Sequence, residues 1–343
     1  MWSQNQNPSD ANGDTEMEKR LKMVGEYLDR PLINSKWTNA FKVKDLFYRM
    51  EMVSHPFEYM TTLLQIGYEP IPPTISKSIF GRTRLQLPGF FSYMNYVIKS
   101  DGFFGIYRGL RYNVTYSIAF KFVHNNMDSL AKRTRAFRIL NEKDAKYKDW
   151  KTFTLSLTCD TITRFVTLTV AYPAHVMMVR SMAQFIGRET HYDSFFGAIL
   201  DIYYTGGFSG FYAGFWPFFL GQCILLYIES SIVYLLRNQV DKSLELYNNQ
   251  FLLSSISIIT RSLVYPFRIV STIMSCNGSS ARSLTASAYT SPQFDSWTEC
   301  WATLWRRGEI KRGSSLFWRY QPITSSLMFP MQPLPQIRRQ KQM

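Results

Sequence analysis

The chain has 343 residues, with 39 Lys and Arg against 25 Asp and Glu for a net charge of +14, and it is 46% hydrophobic and 16% aromatic. Such a composition excludes a disordered, collagenous or disulfide-built chain, and the length allows two or three folding units with a sizeable core. The mean hydropathy of −0.16 looks soluble, but it averages polar ends with several apolar stretches of membrane-spanning length.

Residues 1–36 form a polar tail containing Asp10, Asp14, Glu16 and Glu18. That acidity suits neither a secretory signal nor an Arg-rich transit peptide, so any membrane address is expected to be internal. Five segments then read as helices of spanning length: 40–66, 112–131, 152–185, 215–236 and 250–275. The first holds Lys42, Lys44, Asp45, Arg49, Glu51, His55 and Glu58, and by hydropathy alone it is an amphipathic surface helix. Residues 202–228 carry no charge, whereas the other segments hold ionisable groups inside: Lys121 in the second, Asp160 and Arg164 in the third, Arg261 in the fifth.

Between the second and third segments lies a basic run of Lys132, Arg133, Arg135, Arg138, Lys143, Lys146 and Lys148. It has no RNA-binding sheet signature and no aromatics at stacking spacing. It therefore reads as a loop drawn to anionic head groups, and no nucleic-acid partner is expected. Cys159, Cys223, Cys276 and Cys300 stand more than 20 residues apart, which supports neither a metal site nor a disulfide framework. His55, His124, His175 and His191 show no ligand spacing, and no nucleophile has a visible base. No enzymatic chemistry, cofactor or metal is expected.

A repeat organises the rest. The string Asp101-Gly102-Phe103-Phe104-Gly105-Ile106-Tyr107-Arg108-Gly109 recurs as Gly206-Gly207-Phe208-Ser209-Gly210-Phe211-Tyr212-Ala213-Gly214, and again as Arg312-Gly313-Ser314-Ser315-Leu316-Phe317-Trp318-Arg319-Tyr320, at offsets of 105 and 106 residues. Upstream of each copy a proline breaks an apolar stretch: Pro56, Pro173 and Pro266. These prolines and Gly102, Gly109, Gly207, Gly214 and Gly313 are assigned structural roles in three units of about a hundred residues. The divisions are a tail at 1–36, a first repeat at 37–131, a basic linker at 132–150, a second repeat at 151–240, a truncated third repeat at 241–320 and a Pro-rich tail at 321–343. The Gly105…Gly109 and Gly210…Gly214 pairs match the small-residue dimerisation pattern, but they sit inside the repeat motif at a loop-to-helix junction.

With its proline motif on each odd helix and its glycine motif after it, the tripled unit resembles the mitochondrial carrier superfamily. The strings Gln65-Ile66-Gly67-Tyr68-Glu69-Pro70-Ile71-Pro72-Pro73, Ile79-Phe80-Gly81-Arg82, Gln86-Leu87-Pro88-Gly89 and Arg180-Ser181-Met182-Ala183-Gln184-Phe185-Ile186-Gly187-Arg188-Glu189 resemble the mitochondrial carrier homologs of the outer membrane, degenerate members of that superfamily. The resemblance implies an all-α, multi-pass membrane protein of the mitochondrial outer membrane, built as a three-fold repeat of helix pairs.

In carriers, acid–base pairs between the proline motifs close one side of a central cavity. The corresponding positions here are Glu58 with Thr61, His175 with Met178 and Arg268 with Ser271, so no complete pair is expected and alternating access loses its mechanism. Pro322, Pro330, Pro333 and Pro335 crowd the stretch after Tyr320, where a sixth span is expected to be missing, which opens the cavity sideways to lipid.

Charges inside spans cost on the order of 2.5–3.5 kcal/mol at mid-bilayer and persist where they face protein or water. Counted back from the prolines, Arg261 and Glu51 fall at −5, Arg164 at −9 and Asp160 at −13, steps that keep to one helix face. Glu51, Glu58, Lys121, Asp160, Arg164, Gln222 and Arg261 are therefore expected to line a hydrophilic lateral groove. Asp160 and Arg164, one turn apart, could also pair with each other, and Arg180 is expected to snorkel to the head groups.

A polar groove open to lipid lowers the cost of moving a short hydrophilic tail across hydrocarbon. The resemblance implies an insertase for tail-anchored and other α-helical proteins, with roles in apoptosis and lipid metabolism, and the same groove would let lipid head groups cross. The rival readings are a solute carrier with a degenerate gate and a passive receptor or scaffold for apoptotic factors. The expected partners are α-helical membrane-protein clients, membrane lipids and apoptotic regulators.

Overall fold

A computed structural model describes residues 40–77, 83–133, 150–187, 190–239, 250–277, 294–317 and 319–320. The expected polar tail at 1–36, most of the basic linker and the Pro-rich tail, where the sixth span would fall, lie outside the described residues. Two compact units are distinguished, residues 1–53 and 54–343. In the first, residues 40–53 are helical; the contacts below belong to the second.

In chain order the elements are α1 (Ala40–Ile66), β1 (Thr74–Lys77), β2 (Thr83–Leu87), α2 (Phe90–Asp101), a 3₁₀ turn (Phe103–Tyr107), α3 (Leu110–Arg133), α4 (Trp150–Gly187), α5 (Phe195–Gly210), α6 (Phe215–Gln239), α7 (Gln250–Cys276), α8 (Trp297–Arg306) and β3 (Arg319–Tyr320). The five long helices α1, α3, α4, α6 and α7 fall on the five segments read from the sequence. Three of them are long and apolar enough to cross a membrane: Phe153–Gly187, Phe215–Leu236 and Ser254–Cys276.

Pro56, Pro173 and Pro266 lie inside α1, α4 and α7, each removing one backbone donor from its helix. The residue before each proline reaches the glycine motif of its own repeat. His55 Nε2 donates to the Arg108 carbonyl at 3.0 Å, Tyr172 Oη to Ala213 O at 3.0 Å and Tyr265 Oη to Arg312 O at 2.7 Å. In the first two repeats the acceptor is the eighth residue of the motif, and in the third it is the first.

The motif glycines share a backbone conformation. Gly102, Gly207 and Gly313 have φ of +79°, +60° and +79°, and Gly109 and Gly214 have +86° and +79°, values that side chains disfavour. At the second position the reason is doubled by proximity. A Cβ on Gly214 would lie 2.5 Å from Ser271 O, and one on Gly109 would lie 3.3 Å from Met178 O. Both carbonyls belong to residues five beyond a proline, so α3 starts hard against α4 and α6 hard against α7, each the proline-bearing helix of the next repeat.

Helix α3 packs along α4 and α6 along α7, while α4 also meets α6 and α7. The main core joins Tyr59, Met60, Leu63 and Leu64 of α1 with Met178, Met182, Ala183 and Phe185 of α4, and a second cluster joins Ile269, Val270 and Ile273 of α7 with Cys300 and Leu304 of α8. Elsewhere the long helices present Ile118, Phe122, Ile162, Val170, Trp216, Leu235, Ile259 and Leu263 to the outside. Apolar faces on that scale belong against lipid.

The sequence reading did not include the antiparallel sheet of order β1-β2-β3, in which Gln86 faces Tyr320 and Leu87 faces Arg319. Its strands are four, five and two residues long, too short for an alternation to register. The sheet ties the third motif copy to the segment after α1. There Arg319 pairs with Glu69 and donates to Pro88 O at 3.0 Å.

Candidate functional site

The second residue after each kinking proline is Glu58, His175 and Arg268 in turn. Glu58 and Arg268 form an ion pair at 3.5 Å. The expectation that the proline motifs hold no pair is corrected here. The carrier spacing of an acid at one position and a base three residues on is lost, yet a guanidinium at the first position of the third motif reaches the carboxylate at the same position of the first. Arg268 supplies the length that Thr61 and Ser271 lack.

Asn113 of α3 completes this cluster, donating from Nδ2 to Glu58 Oε2 at 2.9 Å and lying 3.3 Å from His55 Nδ1. Because His55 Nε2 donates to the Arg108 carbonyl, Nδ1 is left to accept, and the imidazole is held neutral between two partners. His175, at the third corner, makes no comparable pair among the described residues. Its ring packs among Tyr116, Tyr172 and Phe218 at 5.6, 5.4 and 5.0 Å between centroids. Tyr116 sits within electrostatic reach of Arg164, Glu58 and Arg268 together.

One level along, Arg164 of α4 donates from Nη1 to Gln222 Oε1 of α6 at 3.3 Å, with its guanidinium 6.0 Å from the Phe120 ring centre. Thus Glu58, Arg164 and Gln222 converge, joined by Arg268, Asn113 and Tyr116, which the sequence reading did not place in the groove. Asp160 lines a separate cavity with Glu229. Lys121 and Arg261 are exposed on α3 and α7, and the Glu51 side chain lies outside the described residues. The missed signals are local: Asn113 stands four residues after a motif glycine, and Glu229 is the sole acid in α6.

Arg180 corrects a second expectation. It is 2% exposed and does not snorkel. Its Nε donates to Ser275 O at 2.9 Å and its Nη2 to Asn277 O at 3.1 Å, capping the carbonyl end of α7, where a cation is favoured. Beside it Tyr192 donates to Asp201 at 2.5 Å. The glycine-motif end has further buried cations: Arg312 pairs with Glu309 at 2.7 Å and donates to Gln65 O at 2.8 Å. Burial lowers the pKa of Arg312 and pushes that of Arg319 down to about 10. Arg319 therefore still carries its proton at neutral pH. Gln65 also bonds Tyr265 Oη at 3.0 Å and Thr272 Oγ1 at 2.8 Å, tying α1 to α7.

The sequence profile of the mitochondrial carrier protein family matches residues 149–243, the second repeat. Mitochondrial carrier homolog 2 of Mus musculus is 32% identical over 291 residues, covering 83% of this chain and 95% of that protein. Its Homo sapiens counterpart is 32% identical over 279 residues, 80% and 91%. Mitochondrial carrier homolog 1 of Mus musculus is 30% identical over 287 residues, 78% and 73%. Such identity, held along at least 73% of each of these relatives and joined to the tripled proline and glycine motifs, makes this chain a member of the mitochondrial carrier homolog family.

Proposed function

We propose that the protein is an insertase of the mitochondrial outer membrane for tail-anchored and other α-helical proteins. The observation that carries this reading is the pair of part-exposed polar bridges, Glu58–Arg268 and Arg164–Gln222, in long helices whose outer faces are apolar. Arg268 keeps 52% of its side chain exposed. Charge at that position is tolerable where water reaches it, and a hydrated strip beside hydrocarbon lowers the cost of moving a short hydrophilic tail across. The apolar segment of the client then leaves sideways into lipid. The same strip serves lipid head groups, so scrambling is a natural second activity, and apoptotic regulators are partners in the reading that the family resemblance implies.

The test is reconstitution in liposomes with a tail-anchored client. Arg164→Leu should slow insertion several-fold while Leu225→Ala, a packing change on α6, should not. Normal insertion by a folded Arg164→Leu protein would sink the groove reading. The Glu58–Arg268 pair also favours a second reading, a solute carrier retaining one gate contact; saturable counter-exchange of a small solute by the unmodified protein would make it the better one.

A further inference from the structure

Farther along α4 and α6 a cavity of about 180 Å³ opens between the two helices. Its polar groups are the carboxylates of Asp160 and Glu229 and the hydroxyls of Ser156 and Ser230, and Phe153 and Leu157 wall it. Glu229 Oε1 is shut off from solvent without a hydrogen-bond partner among the described residues. An acceptor left so is costly unless a cation or donor meets it. Phe153 stacks on Tyr234 at 4.4 Å, and Trp150 adds a third ring 5.7 Å from Phe153 and 6.1 Å from Tyr234.

The Glu229 carboxylate with its unmet oxygen, Asp160 beside it, and an apolar wall of Phe153, Leu157 and Val233 are together the complement of an alkylated ammonium group, which brings charge with a greasy surface. A phosphate would meet two like charges. A divalent cation asks for six or more oxygens in a shell, and half of this wall is hydrocarbon. The two helices show exposed Leu155, Tyr227 and Leu235, so the neighbours always at hand are bilayer lipids. We infer that this cavity binds the ammonium head group of a phospholipid, phosphatidylcholine or phosphatidylethanolamine, and holds that lipid against the α4–α6 face. The inference deepens the lipid side of the proposed function and rests on it for the membrane setting.

The experiment titrates the full-length protein with phosphatidylcholine, phosphatidylethanolamine and phosphatidylglycerol of identical acyl chains and counts retained lipid by native mass spectrometry. Both ammonium lipids should be retained about tenfold better than phosphatidylglycerol, and tetramethylammonium should compete. Glu229→Gln keeps the side-chain shape and removes its charge, so it should lower phosphatidylcholine retention several-fold at an unchanged melting temperature. Asp160→Asn and Phe153→Leu give the same readout from the other helix if Glu229→Gln folds poorly. Equal retention of phosphatidylglycerol, or unmodified retention by all three variants, overturns the site. Preferential binding of a Lys-bearing client tail over the lipid would reassign the cavity to peptide and overturn the lipid assignment. Insertion is scored separately on the same variants, so failure of the insertase reading leaves the lipid result legible.

Discussion

Two kinds of charge occur in this protein, at two levels of the helix bundle. At the glycine-motif end Arg180 is 2% exposed and bonded to two carbonyls, and Arg312 has both a carboxylate and a carbonyl. Within the long helices Arg268 keeps half its surface and meets Glu58 at 3.5 Å, and Arg164 donates to a neutral amide at 3.3 Å. The first group holds helix ends that would otherwise leave carbonyls unpaired; the second is part-exposed and less fully bonded. The first kind holds the architecture together, and under the proposed function the second kind is the one that would meet a client.

The comparison breaks most visibly at the close approaches. Gly214→Ala places a Cβ 2.5 Å from a backbone oxygen at φ +79°, which neither helix can relieve by moving a side chain. A loss of about 3 kcal/mol or more is expected, read as a lower melting temperature in detergent or as failure to fold. Gly102→Ala has the same φ with nothing within 4 Å of the new Cβ, so it should cost less, about 1–3 kcal/mol from backbone strain alone. Equal losses would mean that backbone strain alone, without the interhelical contact, accounts for the second motif glycine.

Arg180→Met should come next. It leaves Ser275 O and Asn277 O without their donor in a buried setting, at an expected cost of about 2–4 kcal/mol. Melting of this variant against Arg164→Leu ranks the two kinds of charge directly. Arg164→Leu should change stability by less than about 1 kcal/mol, because its one bond is to a part-exposed amide, yet it should slow client insertion several-fold. If Arg164→Leu melts lower than Arg180→Met, the architectural and functional assignments are reversed.

That ranking was only partly legible in the sequence. The tripled proline and glycine strings carried the helix order and the turns, because each motif residue is dictated by its own backbone: a ring that removes a donor, a φ that only glycine adopts freely. Charges were harder to sort. From spacing, Arg164 and Arg180 look alike, both on α4, but one faces Gln222 and the other the last carbonyls of α7, and which neighbour a side chain finds is set by packing between repeats. Glu58 with Arg268 escaped notice for the same reason, since a comparison within each motif does not test a bond made between two motifs. Glu229 fell one residue beyond the uncharged stretch 202–228, and only the cavity that it shares with Asp160 gives it a role.

Tail charge sharpens the functional half of the comparison. Each charge dragged past mid-bilayer costs a few kcal/mol even with partial hydration, so clients with several added Lys residues in the tail should insert markedly more slowly. A rate indifferent to tail charge would mean that the protein docks clients while the crossing happens elsewhere.

The smallest stability effect is expected at the Glu58–Arg268 pair, and it separates the two functional readings. With the Arg268 side chain 52% exposed and 3.5 Å from the carboxylate, a double-mutant cycle of Glu58→Gln and Arg268→Gln should give a coupling below about 1 kcal/mol. A wet pair of that strength is a weak lock. In a groove, its opening changes mainly the local charge: Glu58→Gln leaves a net cation on the path and should slow Lys-rich tails more than neutral ones, while Arg268→Gln should do the opposite. In a gated carrier both variants should act alike, because either one breaks the same closing contact, and the charge-swapped double variant Glu58→Arg, Arg268→Glu should restore what each single change removed. Opposite responses of the two single variants to tail charge support the groove; matched responses with rescue by the swap would support the gate.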